Sequence, residues 1–367
     1  MKLYAGIDLH SNNHYLGIIN EEDKVVFRQR LHNDLRETLC TLEPFREEVM
    51  GIVVESTFNW YWLVDGLMGQ GYRVHLANPA AIQQYKGLKH LDDKRSALWL
   101  ANLLRLGILR EGYIYPKEER PVRDLLRKRS QLVRHRTAHI LSIKNIVSRS
   151  LGLTMRSNEV KQLEERRVRD LLREEHLILA VQSSVGIMRY LGEKIKQIEG
   201  AVKNRIKLRP EFEGLLTLPG IGEILGLTIM VEVGEIGRFP EVGNYASYCR
   251  CVRSSRTSNE KEKGEGNRKN GNKYLAWAYV EAANFAIRDY PEVQRYYHRK
   301  AAKTNGVIAI KAISHKLSRA SYYIMRDQVG YDPRKLFYGG REAEQEGSSL
   351  LRKSRRKTSP CFSEQGS

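Results

Sequence analysis

The first eighty or so residues alternate short apolar runs with polar breaks. Leu3-Tyr4-Ala5-Gly6-Ile7 ends at Asp8, and Gly51-Ile52-Val53-Val54 ends at Glu55. Between them, Tyr15 to Ile19 and Val25 to Phe27 flank the acidic turn Glu21-Glu22-Asp23, which predicts a hairpin joined to the first strand. A helix is expected around Leu35 to Arg46, an aromatic one around Trp60 to Leu67, and a strand over Val74 to Ala77 before Asn78-Pro79. Three antiparallel strands followed by helix-strand units is the order of a ribonuclease-H-like sheet. In that topology the first and fourth strands are neighbours, so Asp8 and Glu55 are expected side by side.

Further along, the period changes. Asp92-Asp93 opens a stretch through Leu106 with apolar residues at helical spacing, and it stops at Gly107. Asp93 and Ser96 stand three apart, Asp92 and Ser96 four apart, and either spacing shares one helix face. Residues 117–208 are charged and leucine-spotted with a break at Ser150-Leu151-Gly152, the pattern of a long antiparallel helical hairpin or coiled coil. Leu218-Pro219-Gly220-Ile221-Gly222 then precedes an apolar helix, Ile224 to Val231. That arrangement suits a helix-hairpin-helix element approaching a phosphate, or a plain helix-helix turn. Helices from about Tyr274 to Ile287 and from Val307 to Arg326 close the chain's ordered part, and the Arg-, Lys-, Ser- and Glu-rich tail after Gly339 reads as disordered. The expected class is α/β plus α, divided as 1–116, 117–208, 209–338 and 339–367.

Composition narrows the partner. Against 43 Asp plus Glu the chain carries 62 Lys plus Arg, a formal net charge of +19, which points to nucleic acid. Its 41 % hydrophobic content can fill a substantial core. Four scattered cysteines give neither a disulfide framework nor zinc-site spacing. No stretch approaches the roughly 18 apolar residues of a membrane span, so a cytoplasmic setting is expected. Positive charge concentrates between Arg250 and Lys273, where Arg250, Arg253, Arg256, Lys261, Lys263, Arg268, Lys269 and Lys273 lie among Ser, Asn and Gly. So polar a segment reads as a flexible loop for a sugar-phosphate backbone.

Carboxylates in so basic a chain need a reason. Asp8, Glu55 and Asp93, with Asp92 beside it, fit a cluster holding Mg²⁺ or Mn²⁺ against a phosphodiester, since such ions take hard oxygen ligands and stabilise both attacking and leaving oxygens. The actin-like and sugar-kinase chains, which also begin with Gly-Ile-Asp, want a second glycine-rich phosphate loop, and none is present.

The specific signal is a series of motifs in order: Gly6-Ile7-Asp8-Leu9-His10, Val54-Glu55-Ser56, Leu88-Lys89-His90-Leu91-Asp92-Asp93-Lys94, Leu218-Pro219-Gly220-Ile221-Gly222, and Gly264 through Leu275. Together they resemble the DEDD-type insertion-sequence transposases related to the Piv site-specific invertases, over about residues 1 to 330. The resemblance implies a RuvC-like domain, a coiled-coil arm and a C-terminal transposase domain supplying a nucleophilic serine. It also implies recombination of element ends and target DNA at a composite site in a homodimer or homotetramer, within the prokaryotic cytoplasm at the nucleoid. Several members are guided by a structured RNA. Residue by residue, Asp8, Glu55 and Asp93 match the family's first three acids, and the fourth position is Ser96. A serine is a weaker metal ligand than a carboxylate, so either Asp92 compensates, three acids suffice with a water, or the copy is impaired. Counting back from Gly271 puts Ser258 on the nucleophile, with Ser254 and Ser255 in the same loop. Three readings stand: a recombinase using serine, a RuvC-like junction nuclease using water, and an impaired nucleic-acid-binding protein.

Overall fold

β1 (Leu3–Leu9) is buried along both faces, with only Tyr4 partly exposed, and such a strand belongs in the middle of a sheet. The computed structural model describes residues 1–79, 82, 93–205, 210–252, 255–258, 261–265, 270–332 and 336–337. β2 (Asn13–Asn20) and β3 (Val25–His32) follow, then α1 (Leu35–Leu42), β4 (Val49–Glu55), α2 (Tyr61–Gly69), β5 (Val74–Ala77) and α3 (Asp93–Arg105). The strand order is β3-β2-β1-β4-β5, with β2 antiparallel to its neighbours and β4 and β5 parallel to β1. This is the mixed sheet that the alternation of apolar runs leads one to expect. α1 stops sooner than its pattern suggests, because Pro44 cannot donate to a continuing helix and Glu43–Phe45 tightens into a 3₁₀ turn.

The sheet's two faces have different covers. Ala5, Ile7, Leu9, Ile52 and Val54 pack with Leu63, Val64 and Leu67 of α2. On the other face Val53 and Ala77 pack with Leu100 and Leu103 of α3.

The described residues divide into two compact units: Met1–Lys117 with those of Arg256–Asn270, and Glu118–Ser255 with those from Gly271 onward. In the second, α4 (Arg120–Leu151) ends at Gly152, whose φ of 69° is the left-handed cap expected at that break. The short helices α5 (Ser157–Gln162) and α6 (Glu165–Leu171) intervene before α7 (Glu175–Arg205). Extended backbone at Leu163 and Leu172 ends them. α4 packs along α7, and Ile143, Val147, Val160, Val168, Val181 and Val185 make a core at their far end.

The remainder is mostly helical: α8 (Pro210–Leu216), α9 (Glu223–Val233), α10 (Val242–Tyr248), α11 (Lys273–Asp289), α12 (Pro291–Lys303) and α13 (Gly306–Asp327). Their core holds Phe212, Ile229, Tyr245, Tyr279, Ile313 and Leu317, joined by Val122 and Leu126 of α4. The basic segment read as a flexible loop contains two paired strands, β6 (Ser255–Ser258) and β7 (Lys261–Glu265). Such a ribbon is held by its backbone ladder and needs no apolar core, so polarity alone did not exclude it. Among the described residues no helix is long and apolar enough to cross a membrane.

Candidate active site

The register of the sheet sets the site. Gly6 pairs with Val53 and Ile7 with Val54, so the next step brings Asp8, at the end of β1, beside Glu55 at the end of β4. Side chains alternate along strands, hence Gly6, Asp8, Val53 and Glu55 all face α3. Asp8 is 4 % exposed, and its carboxylate accepts a hydrogen bond from the protonated Glu55 carboxyl. Burial first, then that bond and the Asp8 charge, push the Glu55 carboxyl up to about 7. Two carboxyl groups that resist ionising together are a hard-oxygen donor set short of positive charge, and a divalent cation fits it chemically. The His10 imidazole stands 3.7 Å from the Asp8 carboxylate. The loop after β1 is fixed from two sides, because Asn33 and Asn59 both donate to the His10 carbonyl, at 2.9 and 3.0 Å.

α3 comes to this end of the sheet by an unusually close approach. A Cβ on Gly6 would lie 2.0 Å from the Ala97 carbonyl oxygen and 2.8 Å from the Ala101 nitrogen; on Gly17 it would lie 2.8 Å from Leu98. Leu104, further along the helix, meets Gly51, which pairs with Tyr4. The helix therefore runs opposite to β1. Asp93, four residues before Ala97, begins about 6 Å nearer the Asp8 end, close to the rise of two strand residues from Gly6 to Asp8. Ser96 is half-buried on α3. Asp92, and the side chain of Asp93, lie outside the described residues. Among the described residues no group of three or more His, Cys, Asp and Glu side chains is close enough to hold a metal ion.

A second arrangement closes the neck of the basic segment. The Asn272 amide donates to the Tyr248 carbonyl at 2.6 Å, and the Arg250 guanidinium donates to the Gly271 carbonyl at 3.1 Å. Gly271 has φ of 81°, and a Cβ there would lie 2.6 Å from the Tyr248 oxygen, so only glycine fits. Asn272 caps α11 by accepting from the Tyr274 and Leu275 amides, at 2.8 and 3.2 Å, and its side-chain nitrogen donates to Glu232 at 2.7 Å. Glu232 is 1 % exposed and also accepts from Arg123 at 3.0 Å and from Arg127 at 2.5 and 2.8 Å. Burial would raise its pKa, but the hydrogen bond from Arg127 and the charges of Arg123 and Arg127 outweigh that and lower it. Arg250, expected to touch nucleic acid, is thus also a clasp. Glu232, Arg123, Arg127 and Asn272 escaped the sequence reading, although one acid inside Ile229-Met230-Val231-Glu232-Val233 is a signal that a buried partner is needed.

Lys261 and Lys273 are exposed. Ser258, Arg256 and Lys263 lie on β6 and β7, and only their backbone is described; Ser254, Arg253, Arg268 and Lys269 lie outside the described residues. Gly220, in the suspected phosphate turn, has φ of 76° and packs on α11, where a Cβ would meet the Ala282 carbonyl oxygen at 2.1 Å. Helix packing is sufficient reason for that glycine.

A mixed sheet with paired strand-end carboxylates, in a strongly basic chain, is an arrangement suited to a nucleic-acid partner. Residues 5–150 match a family model described as a transposase, the DEDD type of IS110, and residues 213–298 match the transposase IS116/IS110/IS902 family. The chain belongs to this family of insertion-sequence transposases. Among its relatives is the transposase for insertion sequence element IS1111A of Coxiella burnetii, 25 % identical over 300 residues, 77 % of each chain. The pilin gene-inverting protein of Moraxella bovis is 24 % identical over 352 residues, 91 % of this chain and 98 % of that one.

Proposed function

We propose that the chain is a DNA transposase of RuvC-like, ribonuclease-H-like build that moves its element by Mg²⁺-dependent strand cleavage and transfer, with Ser258 as nucleophile. The observation that carries the reading is the meeting of Asp8 and Glu55 at one end of the sheet. Asp8, Glu55 and Asp93 would hold the metal, with Ser96 in the position of the family's fourth acid. When bound, the metal supplies Lewis-acid stabilisation of the charge developing on the phosphodiester.

The chain's own residues do the rest. The Ser258 oxygen attacks phosphorus, a serine-phosphate ester forms, and the displaced strand oxygen leaves as a hydroxyl. A strand hydroxyl from the new partner then attacks the ester and returns the serine. Conserving the phosphodiester in this way lets strands be rejoined without an outside energy source. Arg256 and Lys261, on the same ribbon, would offset charge on the phosphorus oxygens. The ribbon falls in the same compact unit as Asp8 and Glu55, which supports this assignment. Arg253, Lys263, Arg268, Lys269 and Lys273 would grip backbone. A homodimer or homotetramer, and a structured guide RNA, follow from the family resemblance; base pairing would then supply the sequence recognition that basic side chains lack.

The test is a labelled DNA carrying the element ends, incubated with Mg²⁺ and resolved under denaturing conditions. Wild type is expected to give a protein-DNA adduct and rejoined strands. Ser258→Ala is expected to bind DNA but form no adduct, and Asp8→Asn to lose both adduct and cleavage. An undiminished adduct in Ser258→Ala moves the nucleophile elsewhere, and free cleaved ends without adduct in wild type indicate hydrolysis by water.

A further inference from the structure

The last two long helices make a second basic site that shares no residue with the carboxylates or the neck of the ribbon. A cavity of about 740 Å³ lies against α12 and α13, lined by Tyr296, His315, Lys316, Arg319, Tyr323 and Tyr331 among others. Its volume is that of a small-ligand pocket. His315, Arg319 and Tyr323 are spaced by four along α13 and so share one stripe of the helix. Arg319 and Tyr323 are exposed, while His315 and Lys316 are half-buried.

One of the cations is held in place. Lys316 donates to the Leu336 carbonyl at 2.7 Å and stands 5.3 Å from the Tyr296 ring centre, which fixes its ammonium and leaves two of its three N–H donors for another acceptor. The acids on the wall are Asp327, which is paired with Arg326 at 2.6 Å, and Asp332. Burial, with the charges of Arg319 and Arg299, lowers the pKa of Lys316, and burial, with those of Arg319 and Lys316, lowers that of His315. A bound anion would relieve this crowding. Beside the cations lie aromatic faces, and the pairing of the two is how proteins hold unstacked bases with their phosphates. Bases in a duplex are stacked on one another and present no free face to such a cavity.

We propose that this cavity seats one unpaired nucleotide of a polynucleotide strand, its phosphodiester on Arg319 and Lys316 and its base against Tyr323. The site requires no metal and no strand chemistry, so it stands or falls apart from the reaction centre.

Fluorescence anisotropy of the full chain, without divalent metal, tests it with labelled single-stranded 12-nucleotide probes of DNA and of RNA and with a labelled DNA duplex. Arg319→Ala and Tyr323→Ala are each expected to weaken binding of a single strand about tenfold. Arg319→Ala should also lower the salt dependence by the roughly 0.7 of a log unit per phosphate typical of single strands. Tyr323→Phe, which keeps the ring, should bind within about twofold of wild type, and duplex affinity should not change. A response from either strand supports the site and tells which sugar it accepts. Both side chains are exposed, so the alanine variants should melt as wild type does. Wild-type single-strand affinity in both alanine variants would overturn the proposal. Equal losses on single strand and duplex would overturn it too, by reducing the cavity to a general basic surface.

Discussion

Seating α3 on β1 depends on Gly6, and Gly6→Ala tests it directly. The added carbon would lie 2.0 Å from the Ala97 carbonyl oxygen, whereas real contacts of this kind essentially never fall under 3.0 Å. The obstacle is helix backbone, which cannot rotate aside as a side chain can. The helix must therefore withdraw by about 1 Å or more, loosening Leu100 and Leu103 from Val53 and Ala77. Overpacking of this kind costs about 1–3 kcal/mol, and the rigid obstacle argues for the upper end. Because α3 carries Asp93 and Ser96, the same withdrawal moves them from Asp8 and Glu55, and a displacement near 1 Å is worth roughly a hundredfold in rate. Gly69→Ala is the control, since nothing lies within 4 Å of a Cβ there. Urea unfolding of the full chain, with strand cleavage of end-bearing DNA beside it, reads both effects. Should Gly6→Ala unfold within about 0.5 kcal/mol of wild type and cleave at the same rate, α3 does not rest on Gly6 and the argument for its position fails.

Glu55 makes metal-free stability depend on pH. Its carboxyl is raised from 4.5 to about 7, so between these values the folded chain holds more proton than the unfolded one, and stability falls as pH rises through that window. The fall is at most about 3 kcal/mol by pH 8, and about half that once screening at a partly exposed group is allowed for. Thermal midpoints in chelator from pH 5 to 8 should show it in wild type and not in Glu55→Gln; equal slopes would refute it. Glu232 acts with the opposite sign: its lowered pKa contributes stability above its ordinary 4.5 that is lost as pH falls below it. Glu232→Gln leaves the buried Arg123 and the half-buried Arg127 beside a neutral amide and should cost about 3 kcal/mol at pH 7 by denaturant midpoint. An unchanged midpoint would mean that the neck of the ribbon is held by something else.

What the sequence exposed and what it concealed follow from the range of the forces. β1 to β5 were readable because each apolar run is local, and the Asp8–Glu55 meeting followed from strand order alone. The ribbon β6–β7 was not, since its pairing is made by backbone groups that every residue carries. The neck was concealed for a different reason: Glu232 reaches Arg123 and Arg127 more than a hundred residues earlier in the chain, and no pattern within a helix encodes such a partner. The basic cavity beside α13 had no sequence signal either, because Tyr296 and Tyr331 reach it from outside that helix and no pattern within α13 reveals them.

Gly6 and Gly220 show how near the remaining signal came to the surface. One lies on a strand and the other in a turn, yet each faces a helix in the same manner. A Cβ on Gly6 would lie 2.0 Å from the Ala97 oxygen and 2.8 Å from the Ala101 nitrogen, and one on Gly220 would lie 2.1 Å from the Ala282 oxygen and 2.7 Å from the Ala286 nitrogen. In both cases two alanines four apart strip one helix face of bulk, and the glycine removes the last atom between backbones. Half of that code is visible in sequence, as Ala-x-x-x-Ala within an apolar helix. The other half is which glycine it will meet, and for Ala97 and Ala101 that partner is some ninety residues away. Both glycines sit inside motifs that match the family, Gly-Ile-Asp and Pro-Gly-Ile-Gly, where a chemical role comes first to mind. Their immediate work is steric, and at Gly6 the proposed chemistry would rest on it, since the close approach is what brings α3 onto the face of the sheet that carries Asp8 and Glu55.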